Sequence, residues 1–158
     1  MNRRTLLGTC GGLFTATVAG CLDLGSNTPN RRLMFIRIHN ASDWSEVDIR
    51  VTRDGVVAFE ESFSLPAFEP DNDKENPEAT FYDWPHAELL VDEWKTDPAP
   101  FEVEYRLTGG EWNQEDFADS EKEIVGISVD IQGFDYTTVN HRVYEFDSTE
   151  QVEELLSE

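Results

Sequence analysis

The chain has 158 residues, with 33 acidic and 12 basic side chains and a formal charge of −21. That balance excludes a nucleic-acid partner on electrostatic grounds, since a polyanion would be repelled. Aromatic residues make up 11% of the chain, which argues against an acidic disordered polymer and for a packed core.

The first 20 residues have the layout of an export signal. Arg3 and Arg4 are the charged residues ahead of Asp23, and a weakly apolar run follows from Leu6 to Val18. A membrane span needs roughly 20 strongly apolar residues, and this run is shorter and rich in Gly and Thr. Arg3-Arg4-Thr5-Leu6-Leu7 resembles the twin-arginine motif, an address read by an export receptor. Val18-Ala19-Gly20-Cys21 resembles a lipobox, in which small residues admit the signal peptidase and the cysteine sulfur takes a diacylglycerol. The expected boundaries are therefore a signal over 1–20, a lipidated Cys21 with a tether over 21–31, and one domain over 32–158. Cys10, inside the apolar run, is expected to be discarded with the signal.

Cleavage would remove two arginines and no acid, leaving ten basic residues against 33 acidic ones, a charge of −23. The two cysteines, Cys10 and Cys21, both precede the domain. No disulfide, thiol nucleophile or thiolate ligand is then available to it. At molar salt the Debye length shrinks to ~3 Å, so self-repulsion at that charge would largely vanish. Excess carboxylate with only Lys74, Lys95 and Lys122 as lysines is the composition of a halophilic surface.

Beyond the tether the periodicity is two. Met34, Ile36 and Ile38 alternate with Phe35, Arg37 and His39. Val47, Ile49 and Val51 predict a second strand, and Val57, Phe59 and Phe63 a third. Arg53-Asp54-Gly55 between them predicts a three-residue hairpin loop with Gly55 left-handed, pairing Val51 with Val57 and Ile49 with Phe59. Phe101 to Leu107, Val125 to Ile131 and Tyr136 to Phe146 continue the strands. The segment 87–94 is readable as strand or helix and is assigned to strand because its surroundings are β. Ser148 and Gln151 have capping-box spacing, which predicts a short C-terminal helix. The fold class expected is all-β: an antiparallel β-sandwich, immunoglobulin-like in size, with that helix appended.

Arg3-Arg4, Val18-Ala19-Gly20-Cys21 and the acidic bias together resemble the small twin-arginine lipoproteins of halophilic archaea. In the C-terminal half, Glu93-Trp94, Asp97-Pro98-Ala99-Pro100-Phe101, Gly110-Glu111-Trp112 and Val125-Gly126-Ile127 add to the likeness. The resemblance implies a lipid-anchored place on the extracellular face of the membrane and a β fold. It implies no activity.

Constellations of chemistry are few. His39, His86 and His141 show no i, i+2 or i, i+4 pairing, so no metal site and no cofactor is expected of them. Asp71-Asn72-Asp73-Lys74-Glu75 alternates oxygen ligands as calcium loops do, but Asn76 and Tyr82 stand where Gly and Glu belong. It reads as a solvated loop. No catalytic residue is assigned. Asn40-Ala41-Ser42 fits the N-glycosylation pattern and is expected in a loop after the first strand. Trp44, Trp84, Trp94 and Trp112 could fill a core or stack on sugars; one or two are expected to be buried. The leading expectation is a non-catalytic binding or structural module, anchored through Cys21, with a surface protein or glycan as partner. An envelope hydrolase using a carboxylate pair, or an accessory subunit of a solute-uptake system, are the alternatives.

Overall fold

The computed structural model describes residues 28–43, 45–67, 87–133 and 137–157. These form strands β1 (Asn30–Ser42), β2 (Ser45–Arg53), β3 (Val56–Leu65), β4 (Ala87–Val91), β5 (Ala99–Leu107), β6 (Asn113–Glu115), β7 (Ile124–Gly133) and β8 (Thr138–Phe146), and one helix, α1 (Thr149–Ser157). The described residues are all-β apart from α1. The 87–94 segment is a strand as far as Val91, then turns through Asp92 at φ 61°. β1 begins at Asn30, ahead of the expected domain start at 32. Among the described residues no helix is long and apolar enough to cross a membrane.

The hydrogen-bonded path runs β3-β2-β5-β1-β7-β8, with β4 added on β1 and β6 on β5. One link in that path is slight: β1 meets β5 only through Asn30–Pro100 and Arg31–Ala99. The strands therefore divide into two groups, β3-β2-β5-β6 and β4-β1-β7-β8. Ile36 and Ile38 of β1, Val47, Ile49 and Val51 of β2, Val103 of β5, and Ile127, Val129 and Ile131 of β7 belong to one buried cluster drawn from both groups. Period-two alternation puts these residues on the same face of each strand.

The purely antiparallel expectation is corrected at one ladder: β1 and β7 run parallel. A parallel pair needs a long crossover, which the whole stretch from β2 to β6 provides. Parallel strands are typically covered on both faces, and Ile124 to Val129 of β7 are buried without a break. A register shift between Leu33 and Ile36 also changes the alternation of β1. Leu33, not Met34, continues the inward face, and Met34 joins the opposite one.

That opposite face carries a second cluster. Phe35, Ile124 and Val152 are its buried centre, with Leu89, Val91, Tyr144, Phe146, Leu155 and Leu156 around them. Val152, Leu155 and Leu156 have the i, i+3, i+4 spacing of one helix face, so α1 lies on the outside of the β4-β1-β7-β8 group. The Phe35 ring sits 5.9 Å from that of Tyr144 and 6.1 Å from that of Phe146. At the start of α1, the Gln151 side-chain Oε1 accepts the Asp147 N–H at 2.8 Å; the cap forms one residue earlier than Ser148–Gln151 spacing implies.

The β2–β3 hairpin also departs from expectation. Asp54 and Gly55 both have positive φ, 53° and 74°, the signature of a two-residue type I′ turn. Val51 faces Phe59 and Val47 faces Phe63, with a register shift between Val51 and Thr52. Ile49 therefore faces Glu61, and Val57 faces Thr52. The consequence is that Val56 and Val57 stand outside the core, 68% and 52% exposed.

Candidate functional site

Arg3, Arg4, Val18, Ala19, Gly20 and Cys21 lie outside the described residues, as do the Asp71–Glu75 stretch, His86, Trp44 and Trp84. Of the remaining tryptophans, Trp94 is buried and its indole N–H donates to the Leu33 carbonyl at 2.7 Å. Trp112 is half-buried, with the guanidinium groups of Arg50 and Arg106 over its ring at 4.5 and 4.2 Å.

Asn40 is not in a loop. It lies within β1 and is completely buried. Its Nδ2 donates to the carbonyls of Asp43 at 2.9 Å and Pro66 at 2.7 Å. Its Oδ1 accepts from the Ser42 N–H at 3.1 Å and the Ser42 hydroxyl at 2.9 Å. Both amide hydrogens are thus committed, and the side chain ties the β1–β2 turn to the end of β3. In the folded protein this nitrogen is out of reach of a glycosylating enzyme. The expected loop position is corrected to a buried strand position; local sequence could not show that β1 runs on past it.

The two described histidines do not converge. His39 is opposite Asp130 on β7 and His141 is opposite Val129. Adjacent positions on a strand point to opposite faces, so the two imidazoles lie on opposite sides of the group. His39 Nδ1 is 3.8 Å from Asp130 Oδ1. His141 lies in a constellation that sequence spacing did not reveal. Its Nε2 is 2.9 Å from Glu115 Oε2, and its Nδ1 is 2.5 Å from the Tyr105 hydroxyl. In the tautomer that donates Nε2–H to the carboxylate, Nδ1 accepts from the Tyr105 O–H. Glu115 is held in turn by the Phe117 N–H, 2.6 Å from Oε1. Phe117 is fully buried at φ 57°, a left-handed conformation that is costly for a bulky residue and must be imposed by its surroundings.

Carboxylate, imidazole and hydroxyl in series is the order of a nucleophilic relay. Access decides against that use. Tyr105 is 3% exposed, and its hydroxyl is taken up by His141, so it is closed to a substrate. Burial first, and the Glu115 charge second, push the Tyr105 pKa up, which disfavours a phenolate further. What the chain of bonds does is mechanical: it joins β5 and β6 of one group to β8 of the other at the open margin between them. His141→Phe should strand the Glu115 carboxylate and the Tyr105 hydroxyl at a margin where water reaches only part of the cluster, and should cost about 1–2 kcal/mol in urea unfolding. Tyr105→Phe, which deletes a single bond, should cost about 1 kcal/mol or less. Two variants indistinguishable from the parent would show that the strut contributes nothing to stability.

Beside the strut is a shallow depression of about 250 Å3 lined by Glu115, Asp119, Ser120, Val143 and Glu145. Its two glutamates are already engaged. Glu115 serves Phe117 and His141, and Glu145 Oε1 accepts the Glu121 N–H at 2.5 Å and the Lys122 N–H at 3.4 Å.

The exposed face of β3-β2-β5 carries a second polar assembly. Asp48 accepts from the Ser62 hydroxyl at 2.7 Å, the Thr108 hydroxyl at 2.9 Å and the Arg106 Nε–H at 2.7 Å. Burial alone would raise the Asp48 pKa; the bonds from Ser62, Arg106 and Thr108 outweigh it and hold the group below its ordinary value. Arg50 bridges Glu60 at 3.0 Å and Glu104 at 3.1 Å. Arg50 and Arg106 thus clasp Trp112 while neutralising acids on three strands.

No family model matches the sequence, and no curated protein matches it. A solved structure described as "Trapped Toxin" aligns at 12% identity with a TM-score of 0.31, over 71% of this chain and 23% of its own length. The chain thus spans under a quarter of that protein, and a likeness this distant informs neither fold nor function.

Proposed function

We propose that the chain is an exported lipoprotein held at the extracellular face of a halophile's membrane, where its domain acts as a non-catalytic binding or structural module. The observation behind this is the order Arg3-Arg4, a short weakly apolar run, then Val18-Ala19-Gly20-Cys21. Each part has a separate physical role: receptor recognition, passage, cutting, and thioether formation to a diacylglycerol. The charge of the remaining chain supports the halophilic habitat. Two strand groups sharing one core support the reading of the domain as an immunoglobulin-like sandwich. The partner expected is a surface protein or glycan, in addition to the membrane itself.

A hydrolase with a carboxylate pair has one feature in its favour, the depression holding Glu115 and Glu145. Both carboxylates are bound to backbone N–H groups, which suits support of the β6–β7 connection better than proton transfer. The non-catalytic reading is preferred for that reason.

Replacing Arg3 and Arg4 by lysine keeps the charge and removes the twin-arginine pair. The expected result is precursor retained in the cytoplasm. Export at the parental level would exclude the twin-arginine route.

A further inference from the structure

We infer that the tip of the β2–β3 hairpin, Asp54 to Val57, rests on the lipid bilayer interface beside the anchor, with Val56 and Val57 reaching the headgroup–acyl boundary. The inference extends the lipid-anchor reading and rests on it. Three observations lead there.

The first is where the tether enters the fold. β1 starts at Asn30, and Asn30 is opposite Pro100 of β5. The Pro100 carbonyl accepts the Asp54 N–H at 3.0 Å. The hairpin tip is therefore one hydrogen-bonded strand away from the point at which the chain from Cys21 arrives.

The second is the length of that chain. Cys21 to Asn30 spans at most about 30 Å of chain. A lipid on Cys21 would keep this end of the domain within one domain diameter of the bilayer, at a high local concentration relative to it. Thr108 to Gly110 follow the other end of β5, one strand length away from the hairpin tip.

The third is the chemistry of the tip. Val56 and Val57 are the exposed large apolar side chains among the described residues. Gly55 to Phe59 is uncharged in a chain with 33 acids. The one acid at the turn, Asp54, pairs with Arg53 at 3.0 Å, so the tip carries no net charge toward the lipid. Arg53 itself lies over the Phe101 ring at 5.9 Å, an amphipathic placement suited to an interface. Contact through valine is not weakened by molar salt, whereas repulsion between an acidic domain and anionic headgroups is screened there.

The test supplies the anchor chemically, so that lipidation in the cell does not enter. Residues 21–158 contain one cysteine, Cys21. This chain is coupled through Cys21 to a maleimide lipid in phosphatidylcholine vesicles, and a control sample is capped with N-ethylmaleimide and left free. Hydrogen–deuterium exchange is followed in molar sodium chloride. Amides of 54–58 should exchange several-fold more slowly on vesicles than in the free chain, while those of 108–110 stay unchanged. The double variant Val56→Asp, Val57→Asp should lose that protection. The inference is overturned by equal exchange of the tip in the two samples, by protection at 108–110 instead, or by protection that survives the double variant. Failure of the lipid-anchor reading would appear elsewhere, in the fractionation of Cys21→Ser from cells.

Discussion

The thermal midpoint of residues 22–158 is expected to rise by roughly 10 °C or more between dilute buffer and molar sodium chloride. The segment holds ten basic residues against 33 acidic ones. At 0.1 M salt the Debye length is ~10 Å, so carboxylates repel across the surface; at 1 M it is ~3 Å and they sense little beyond contact. Among the described residues, ion pairs relieve few of these charges. Arg50 with Glu60 and Glu104, Arg53 with Asp54, Arg106 with Asp48 and Lys122 with Asp147 are the Arg and Lys pairs among the described residues. Apart from Arg106 with the buried Asp48, these are exposed or half-exposed pairs, and such pairs are worth little. No cysteine follows Cys21, so no disulfide resists the repulsion. Domain stability is typically ~5–15 kcal/mol, and a repulsive contribution of a few kcal/mol is then decisive.

The same melts at low salt have a pH dependence of mixed sign. Protonating surface carboxylates as pH falls removes repulsion and stabilises. Asp48 acts the other way: its folded pKa lies below its ordinary value, so its contribution is present above the unfolded pKa and is lost as pH falls through the folded one. Stability at low salt should therefore first rise and then fall as acid is added. A midpoint that ignores both salt and mild acid would remove the support for a halophilic surface.

Gly126→Ala should cost about 3 kcal/mol, the upper part of the range for overpacking a filled core. A methyl group there would lie 2.3 Å from two atoms of the Phe35 ring. That ring is fully buried and is flanked by Tyr144 and Phe146. It cannot swing aside without lifting α1, because Val152, Leu155 and Leu156 pack on the same cluster. Gly126 is thus required for the approach of β1's outward ring to the β7 backbone. Phe35→Leu in the Gly126→Ala background should recover part of the loss, although alone it destabilises by creating space. Strict additivity of the two changes in urea unfolding would show that they do not meet.

How much of this was legible before folding depends on the range of the interaction. Strands β1, β2, β3, β5 and β7 followed from period-two alternation, and α1 from its capping-box spacing, because both signals are local; the three-residue β6 carries no such pattern. Long-range pairing was not legible. The parallel β1–β7 ladder joins segments separated by five other strands, and no local pattern encodes direction. The hairpin was placed correctly, but Asp54 joined Gly55 in the left-handed region. That change of turn type moved Val57 from the core to the surface. Asn40 matched a modification pattern on three residues, whereas its burial is decided by Pro66, at the end of β3. The Glu115–His141–Tyr105 strut draws on three strands, and nothing in the spacing of those residues signals it. The proposed export signal is the opposite case: Arg3, Arg4 and Cys21 would act through short linear patterns, which need no fold to be recognised.

The central claim is that Cys21 carries the anchor, and the substitution Cys21→Ser in cells tests it most directly. The parent chain should fractionate with membranes after cutting between Gly20 and Cys21. Cys21→Ser removes the sulfur that would take the diacylglycerol, and should yield either unprocessed precursor or protein released from the membrane pellet. A Cys21→Ser chain that is cut at the same bond and remains in the membrane fraction would contradict the account.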